Sequence, residues 1–313
     1  MTIKKSLITI IIFASCQSNN ISDPEIARLI FQAESAFRGG YYNAALSIAD
    51  SAISLNPRLA DIHFLKGRVL TKLSRFAEAE DAYSQVISID NKYQGAWFNI
   101  GTNNLRQNKV PQAIYSYFNE MNEHPSAQTM VQIGKAYSDL GKADSAHLSY
   151  EKAIQINSSF APAYMRLSHL NKDAGEINEA INHAKKGIEL EPENIDYKYF
   201  MGSLLLLNGQ PNLSIPYFEL VVNEKPWHYW AHHNLGQALY RVGEKRKSDF
   251  YIQRAKELQK GVQEVENWRN LANMNPDQFM LWINLGNSLN SMGRTMEAKD
   301  AFLVALSIKP MNV

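Results

Sequence analysis

Cysteine occurs once in the 313 residues, at Cys16, so no disulfide can close within the chain and the body downstream has no thiolate for catalysis or zinc. A chain of this length buries enough apolar surface to fold without disulfides, so their absence does not argue against export. Excess charge is missing too. With 32 Lys and Arg against 31 Asp and Glu, no long-range field favours nucleic acid, and no basic cluster draws anionic lipid head groups. The N-terminal apolar run, Leu7 to Ala14, falls far short of the about 20 residues needed to cross a bilayer core. There is no Walker phosphate loop and no Gly-x-Ser-x-Gly elbow. The close carboxylates of EPENID, Glu191 to Asp196, read as a solvated turn. An enzyme is not expected, nor a cofactor.

What is present begins at the N-terminus. Lys4 and Lys5 precede the apolar run, and small residues lead into Cys16, the layout of a secretory signal. Phe13-Ala14-Ser15-Cys16 resembles the lipobox of bacterial lipoproteins. That resemblance implies cleavage before Cys16 and acylation of its sulfur; a plain signal with an incidental cysteine is the alternative. Residues 1–15 are thus read as a signal peptide and 16–23 as a lipidated cysteine and polar tether. Loss of Lys4 and Lys5 would leave 30 basic against 31 acidic residues. Asp23-Pro24-Glu25 marks a helix start, with an N-cap acceptor, proline at the first helical position and acid in the first turn.

From there to residue 313 the chain repeats. Small residues recur at Ala33, Gly67, Gly101, Gly134, Ser168, Gly202, Gly236 and Gly286, at intervals of 34, 34, 33, 34, 34, 34 and 50 residues. Twelve residues after each stands a second small one: Ala45, Ala79, Ala113, Ala146, Ala180, Ser214, Ser248 and Ala298. A proline often follows twelve further on, as at Pro57, Pro125, Pro192, Pro226 and Pro310. The pattern predicts helical hairpins whose helices cross where the two small side chains meet, most of them closed by proline and others by a stopper such as Asn91 or Ser158. One hairpin has too little core to stand alone, so the units stack.

The segment AWFNIGTNNLRQNKVPQAIYSYFNEMNEHP, with Trp97, Gly101, Ala113, Tyr117 and Pro125, resembles the tetratricopeptide repeat. LWINLGNSLNSMGRTMEAKDAFLVALSIKP, with Trp282, Leu285, Gly286, Ala298, Phe302, Ala305 and Pro310, is similar to it again. The resemblance implies an all-α, right-handed α-solenoid of about eight hairpins. Repeats fall near 26–59, 60–93, 94–126, 127–160, 161–194, 195–228, 229–278 and 279–312.

It also implies a concave groove lined by the first helix of each hairpin, where protein or peptide partners lie. The residues assigned to it in repeats two to five include Asp61, Phe64, Arg68, Lys72, Phe98, Arg106, Lys135, Asp139, Met165, His169, Lys172 and Asp173, with a slight basic excess. In repeats six to eight they are Tyr199, Leu206, Leu207, Trp230, His233, Tyr240, Met280 and Ile283, with Gln237 and Arg241 beside them. Rings with polar tips are what binding hot spots use. The expected partner has an acidic end over the early repeats and an apolar end over the late ones; packing of these rings between first helices is the alternative. The carboxylate-clamp mode of chaperone-tail binders is not expected, because no lysine occupies a fifth position.

Three departures stand out. Pro216 lies inside the second helix of repeat six and predicts a kink or a late start. Sixteen extra residues, QKGVQEVENWRNLANM, lengthen repeat seven. Val262, Val265, Trp268 and Leu271 recur at helical spacing, predicting a prolonged second helix that covers a neighbour or projects as a docking arm. The final repeat lacks a polar cap, so Phe302, Ala305, Leu306 and Ile308 are expected to leave part of their face open, either covered by a partner or by a second copy in a homodimer, or tolerated as exposed.

His228 and His232 stand four apart, within reach of one metal ion on a helix. No third ligand lies nearby, and His232 fills the repeat's usual tryptophan position, so a packed histidine is the better reading and no metal is expected. The function expected is a lipid-anchored scaffold or adaptor in the bacterial cell envelope. A structural subunit of an envelope assembly is the alternative, and a metal-dependent enzyme a distant third.

Overall fold

The computed structural model describes residues 23–309; Cys16, the segment read as signal and tether, and Pro310 lie outside the described residues. Within them the chain forms helices joined in antiparallel hairpins, with no strand. The first four hairpins are α1 (Pro24–Arg38) with α2 (Tyr42–Leu55), α3 (Ala60–Lys72) with α4 (Phe76–Ile89), α5 (Ala96–Arg106) with α6 (Val110–Glu123), and α7 (Ala127–Asp139) with α8 (Ala143–Ile156). Then come α9 (Ala161–Asp173) with α10 (Ile177–Leu190), α11 (Ile195–Leu207) with α12 (Pro211–Glu224), α13 (Tyr229–Arg241) with α14 (Lys245–Met274), and α15 (Phe279–Ser291) with α16 (Thr295–Ile308).

Local chemistry sets the starts. Asp23 accepts the Glu25 amide at 2.8 Å with Pro24 at the first position of α1, and Asn194 accepts the Asp196 and Tyr197 amides at the start of α11. A longer-range cap serves α5: the carboxylate of Glu120, buried on α6, accepts the Gly95 amide at 2.8 Å and the Phe98 amide at 3.2 Å. An anion suits these donors because they lie at the positive end of the helix dipole.

The turn inside every hairpin contains a residue with positive φ. Six are glycines, but Ser74 and Asn108 each adopt φ 59°. A side chain there crowds the following carbonyl and costs about 1–2 kcal/mol. Ser74 is exposed and turn-bound, so Ser74→Gly is expected to raise stability by about 0.5–1 kcal/mol after the extra unfolded-state entropy of glycine is deducted. Asn108→Gly should gain less, since asparagine tolerates this region. Urea midpoints of the two variants check both statements.

At six hairpins a large side chain also reaches the crossing where the two small residues are expected to meet. The glycine of the first helix faces a large side chain four residues beyond the second small position. A Cβ on Gly67 would lie 2.6 Å from the Tyr83 ring, on Gly101 2.7 Å from Tyr117, on Gly202 2.9 Å from Phe218, and on Gly236 2.7 Å from Ile252. Glycine is needed because a large side chain, a ring everywhere but at Ile252, fills the place its Cβ would take. In the first and fifth hairpins that place holds Ala49 and Ala184, both fully buried, and the facing residues are Ala33 and Ser168. Ser168 donates its hydroxyl to the Ala180 carbonyl.

Consecutive first helices approach one another closely, as α1 does α3 and α7 does α9, whereas consecutive second helices do not to the same degree. The array therefore curves with the first helices inside. The three departures resolve as follows. Pro216 neither delays nor shortens its helix, because α12 begins at Pro211 and runs 14 residues like α10. The insertion extends α14 to 30 residues. Its second half packs through Val265 and Trp268 against Leu285, Leu289, Ala298 and Ala301, so it is a seat for repeat eight and not a free arm. The final face is partly open, as expected, with Phe302, Leu306 and Ile308 half-buried and Ala305 buried, and part of α16 packs within the chain, against α2 of the first hairpin.

Candidate functional site

The groove inside the curve is built from side chains one, two and three turns along each first helix, and burial sorts them into two rows. Fifth positions form a seam between neighbouring first helices. Phe64 packs 5.6 Å from the Tyr83 ring and 5.0 Å from Tyr93, and Phe98 lies 5.6 Å from Tyr117. Met165 is 5% exposed and fills the space above Gly187, where a Cβ would meet its sulfur at 2.6 Å. Tyr199 sits 4.5 Å from the His228 ring, and its hydroxyl accepts from Asn234 Nδ2 at 3.2 Å; burial pushes its phenol pKa up. Leu206, at a twelfth position, is 6% exposed. Met165 and Leu206 are thus corrected from groove contacts to core, and Phe64, Phe98 and Tyr199 serve mainly as mortar.

Second, ninth and thirteenth positions, with Tyr240 at the twelfth position of repeat seven, form the accessible row. In the early repeats it is charged. Arg68 lies 4.4 Å over the Phe37 ring and pairs with Glu34 at 3.3 Å, so its charge is already engaged. Lys72, Arg106 and Lys135 make no ion pair among the described residues. Lys135 and Arg166, together with Asp139 and Asp173, line a cavity of about 400 Å³. His169 borders it, stacked 3.8 Å from the Phe200 ring.

Further along, the row turns apolar. Leu207 is 60%, Trp230 55% and Tyr240 67% exposed, and Met280 also stands out in solvent. Trp230 is propped edge-on against His233 at 5.8 Å, and His233 is fixed by Gln237 at 2.9 Å. Arg241 donates to the Leu206 carbonyl at 2.9 Å, which ties α13 to α11. Gln237, Tyr240 and Arg241 share a second cavity, of about 320 Å³. Sequence reasoning missed one cluster, formed by Trp227 and Tyr229 beside Trp230, where repeat eight approaches the start of α13; the run WHYW was its only signal.

His228 and His232 are both used at the start of α13. His228 Nδ1 accepts the Ala231 amide at 3.0 Å, and His232 Nε2 lies 3.0 Å from the Pro226 carbonyl. A carbonyl only accepts, so Nε2 carries the proton and the buried Nδ1 is left without a partner. Trp282 makes the same bond to Pro276 in repeat eight, which explains the tryptophan habit of this position. Burial, and more weakly the charge of Arg254, lowers the His232 pKa below 6.5. The unfolded chain therefore binds a proton that the folded chain refuses. The contribution is fully present above about pH 6.5 and is lost as pH falls from there toward the depressed folded value. His232→Trp keeps the bond and removes the titration, so its stability should fall less between pH 7.5 and pH 5 than that of the parent in paired urea melts. Equal falls would show that His232 is not a source of the acid sensitivity.

Comparison with known proteins decides the repeat type. Residues 32–94 match one tetratricopeptide repeat family model, and residues 127–160 and 161–194 match another. The chain carries tetratricopeptide repeats (TPRs). A 59-residue stretch is 37% identical to the small glutamine-rich tetratricopeptide repeat-containing protein 2 of Mycosarcoma maydis, covering 19% of this chain and 17% of that one. The TPR array spans between 17% and 38% of the length of the curated relatives it matches. Among solved structures, PilW superposes with a TM-score of 0.59 at 16% identity, covering 69% of this chain and 99% of PilW. A TPR protein of Parabacteroides merdae superposes at 0.58 with 17% identity, covering 75% and 94%. These likenesses establish the all-α TPR solenoid fold.

Proposed function

We propose that this chain is a lipid-anchored TPR adaptor of the bacterial cell envelope, which holds an extended segment of a partner protein in its concave groove. The observation that carries the binding part is the row of large apolar side chains left in solvent on successive first helices, Leu207, Trp230 and Tyr240. Isolated exposed apolar residues are ordinary, but a row on one concave wall, braced by His233, Gln237 and Arg241, is an interaction surface. Lys72, Arg106 and Lys135 lie in repeats two to four, so an acidic stretch on the same partner fits the other end. The anchor rests on sequence: Lys4, Lys5, the short apolar run and the single Cys16.

A photo-crosslinking side chain at Tyr240 in the membrane-extracted protein tests the binding, with Ser84 on α4 as the outward-facing control. One protein captured at Tyr240 and not at Ser84 is the expected result; equal capture at both would remove the groove from the proposal. Intact mass from the native membrane tests the anchor. A chain beginning at Cys16 with added acyl mass, lost in Cys16→Ala, is expected, whereas an unmodified chain beginning at Met1 would refute anchoring.

A further inference from the structure

The sixteen inserted residues do more than lengthen α14. On a helix they advance the chain about 24 Å and turn it by about 4.4 turns, a little more than the length of one ordinary helix of the array. Repeat eight, seated on the second half of α14 through Val265 and Trp268, is therefore carried past the edge at which α13 begins. Its own turn confirms the displacement. The Trp227 ring, in the loop before α13, lies 3.7 Å from where a Cβ on Gly293 would be, in the turn between α15 and α16. Those two turns belong to opposite edges of a regular array.

At its far side the displaced repeat meets the start of the chain. α16 packs against α2. A Cβ on Gly40, in the first turn of the array, would lie 3.9 Å from Leu303 Cβ, and the Asp300 charge helps to raise the pKa of the Tyr42 phenol, after burial. Repeat eight thus lies between the extension of α14 on one side and the first hairpin on the other.

We propose that repeat eight is a strut: the insertion displaces it from the groove row so that it ties the end of the solenoid to its beginning and locks the curvature of repeats one to seven. The interface is between the chain's own first and last hairpins, and a second copy is the competing occupant. A locked curve holds the groove in one shape before any partner arrives, which lowers the ordering cost of binding.

The separation at Gly40 and Leu303 falls in the range that a disulfide spans. The full chain with Cys16→Ala, Gly40→Cys and Leu303→Cys is expected to lose both thiols under mild oxidation as a monomer, with intramolecular product exceeding covalent dimer more than tenfold. Retention of both thiols, or a dimer as the main product, would overturn the strut; the dimer would assign the α16 face to a second copy.

Removing residues 259–274 from that variant restores a 34-residue spacing between Gly236 and Gly286, returns repeat eight to the row, and should abolish the intramolecular bond. If the shortened chain still closes, the insertion is not what sets the strut. Because Gly40 has φ +80° and a cysteine there is strained, and because the deletion removes Val265 and Trp268 from the core, a second pair avoids both. Spin labels at Ser47→Cys and Lys299→Cys in the Cys16→Ala chain should give one narrow distance, shifted to longer values by Leu303→Arg with the helical circular dichroism retained. A broad distribution that Leu303→Arg leaves unchanged would equally overturn the proposal.

Discussion

Trp230→Ala combined with Tyr240→Ala is expected to weaken partner binding at least 100-fold while leaving thermal stability within about 0.5 kcal/mol. The two effects separate because both rings are more than half exposed and contribute little to the core, so their removal resembles an ordinary surface change. Each has the features of an interface anchor: a large rigid ring, a polar tip, and neighbours that fix its direction. Truncating one such anchor typically costs 2 kcal/mol or more, and two in one row cost about 3 kcal/mol or more together. Titration calorimetry with the protein captured at Tyr240 measures the affinity. Tyr199→Ala is the informative contrast. Its ring is half-buried between α11 and α13, with the hydroxyl bonded to Asn234, so it should lose stability first and affinity only as a consequence. Unchanged affinity in the Trp230/Tyr240 double variant would move the partner off this wall.

Tyr117→Ala is expected to destabilise the fold by about 3–5 kcal/mol, the cost of deleting a fully buried ring that cannot be refilled. Tyr117 has no exposed surface, lies across Gly101, packs 5.6 Å from Phe98 and exchanges a hydrogen bond with Thr102 at 3.2 Å. Tyr117→Phe loses only the hydroxyl contact and should cost about 1 kcal/mol. Gly101→Ala attacks the same contact from the other side, with a methyl 2.7 Å from the ring, and should cost about 1–3 kcal/mol through overpacking. Because each repeat touches chiefly its neighbours, the damage should spread unevenly. Hydrogen exchange should quicken in α5, α6 and the adjoining α7 before it does in α1 or α13. Uniform loss of protection along the chain would mean that the array unfolds as one unit.

Both predictions use residues that the sequence singled out, but only burial gave them their roles. Phe64, Phe98, Tyr199, Trp230 and Tyr240 all occupy groove-facing positions in the repeat pattern. The spacing that brings a side chain to the inner side of a helix does not say whether the next helix covers it. Fifth positions point along the line between adjacent first helices and are covered; second and thirteenth positions point past it and are not. Met165 was misplaced for the same reason, while twelfth positions go either way, Leu206 being buried and Tyr240 exposed. The small residue at each crossing was legible, but not the large side chain that the six glycines accommodate, because the pattern of small residues carries no information about what crosses above them.

The sequence by itself determined the helical hairpins, their number and order, and the doubled length of α14. These follow from contacts within about 34 residues, and period, glycine, proline and apolar spacing record such contacts directly. The meeting of α16 with α2, the partial covering of the last repeat's face, and the displacement of repeat eight were decided only in the tertiary structure. Each depends on the accumulated rotation and rise of seven successive interfaces. A small angle at each interface, set by side-chain volumes and invisible in the periodicity, adds up over the array to whether its two ends miss or touch.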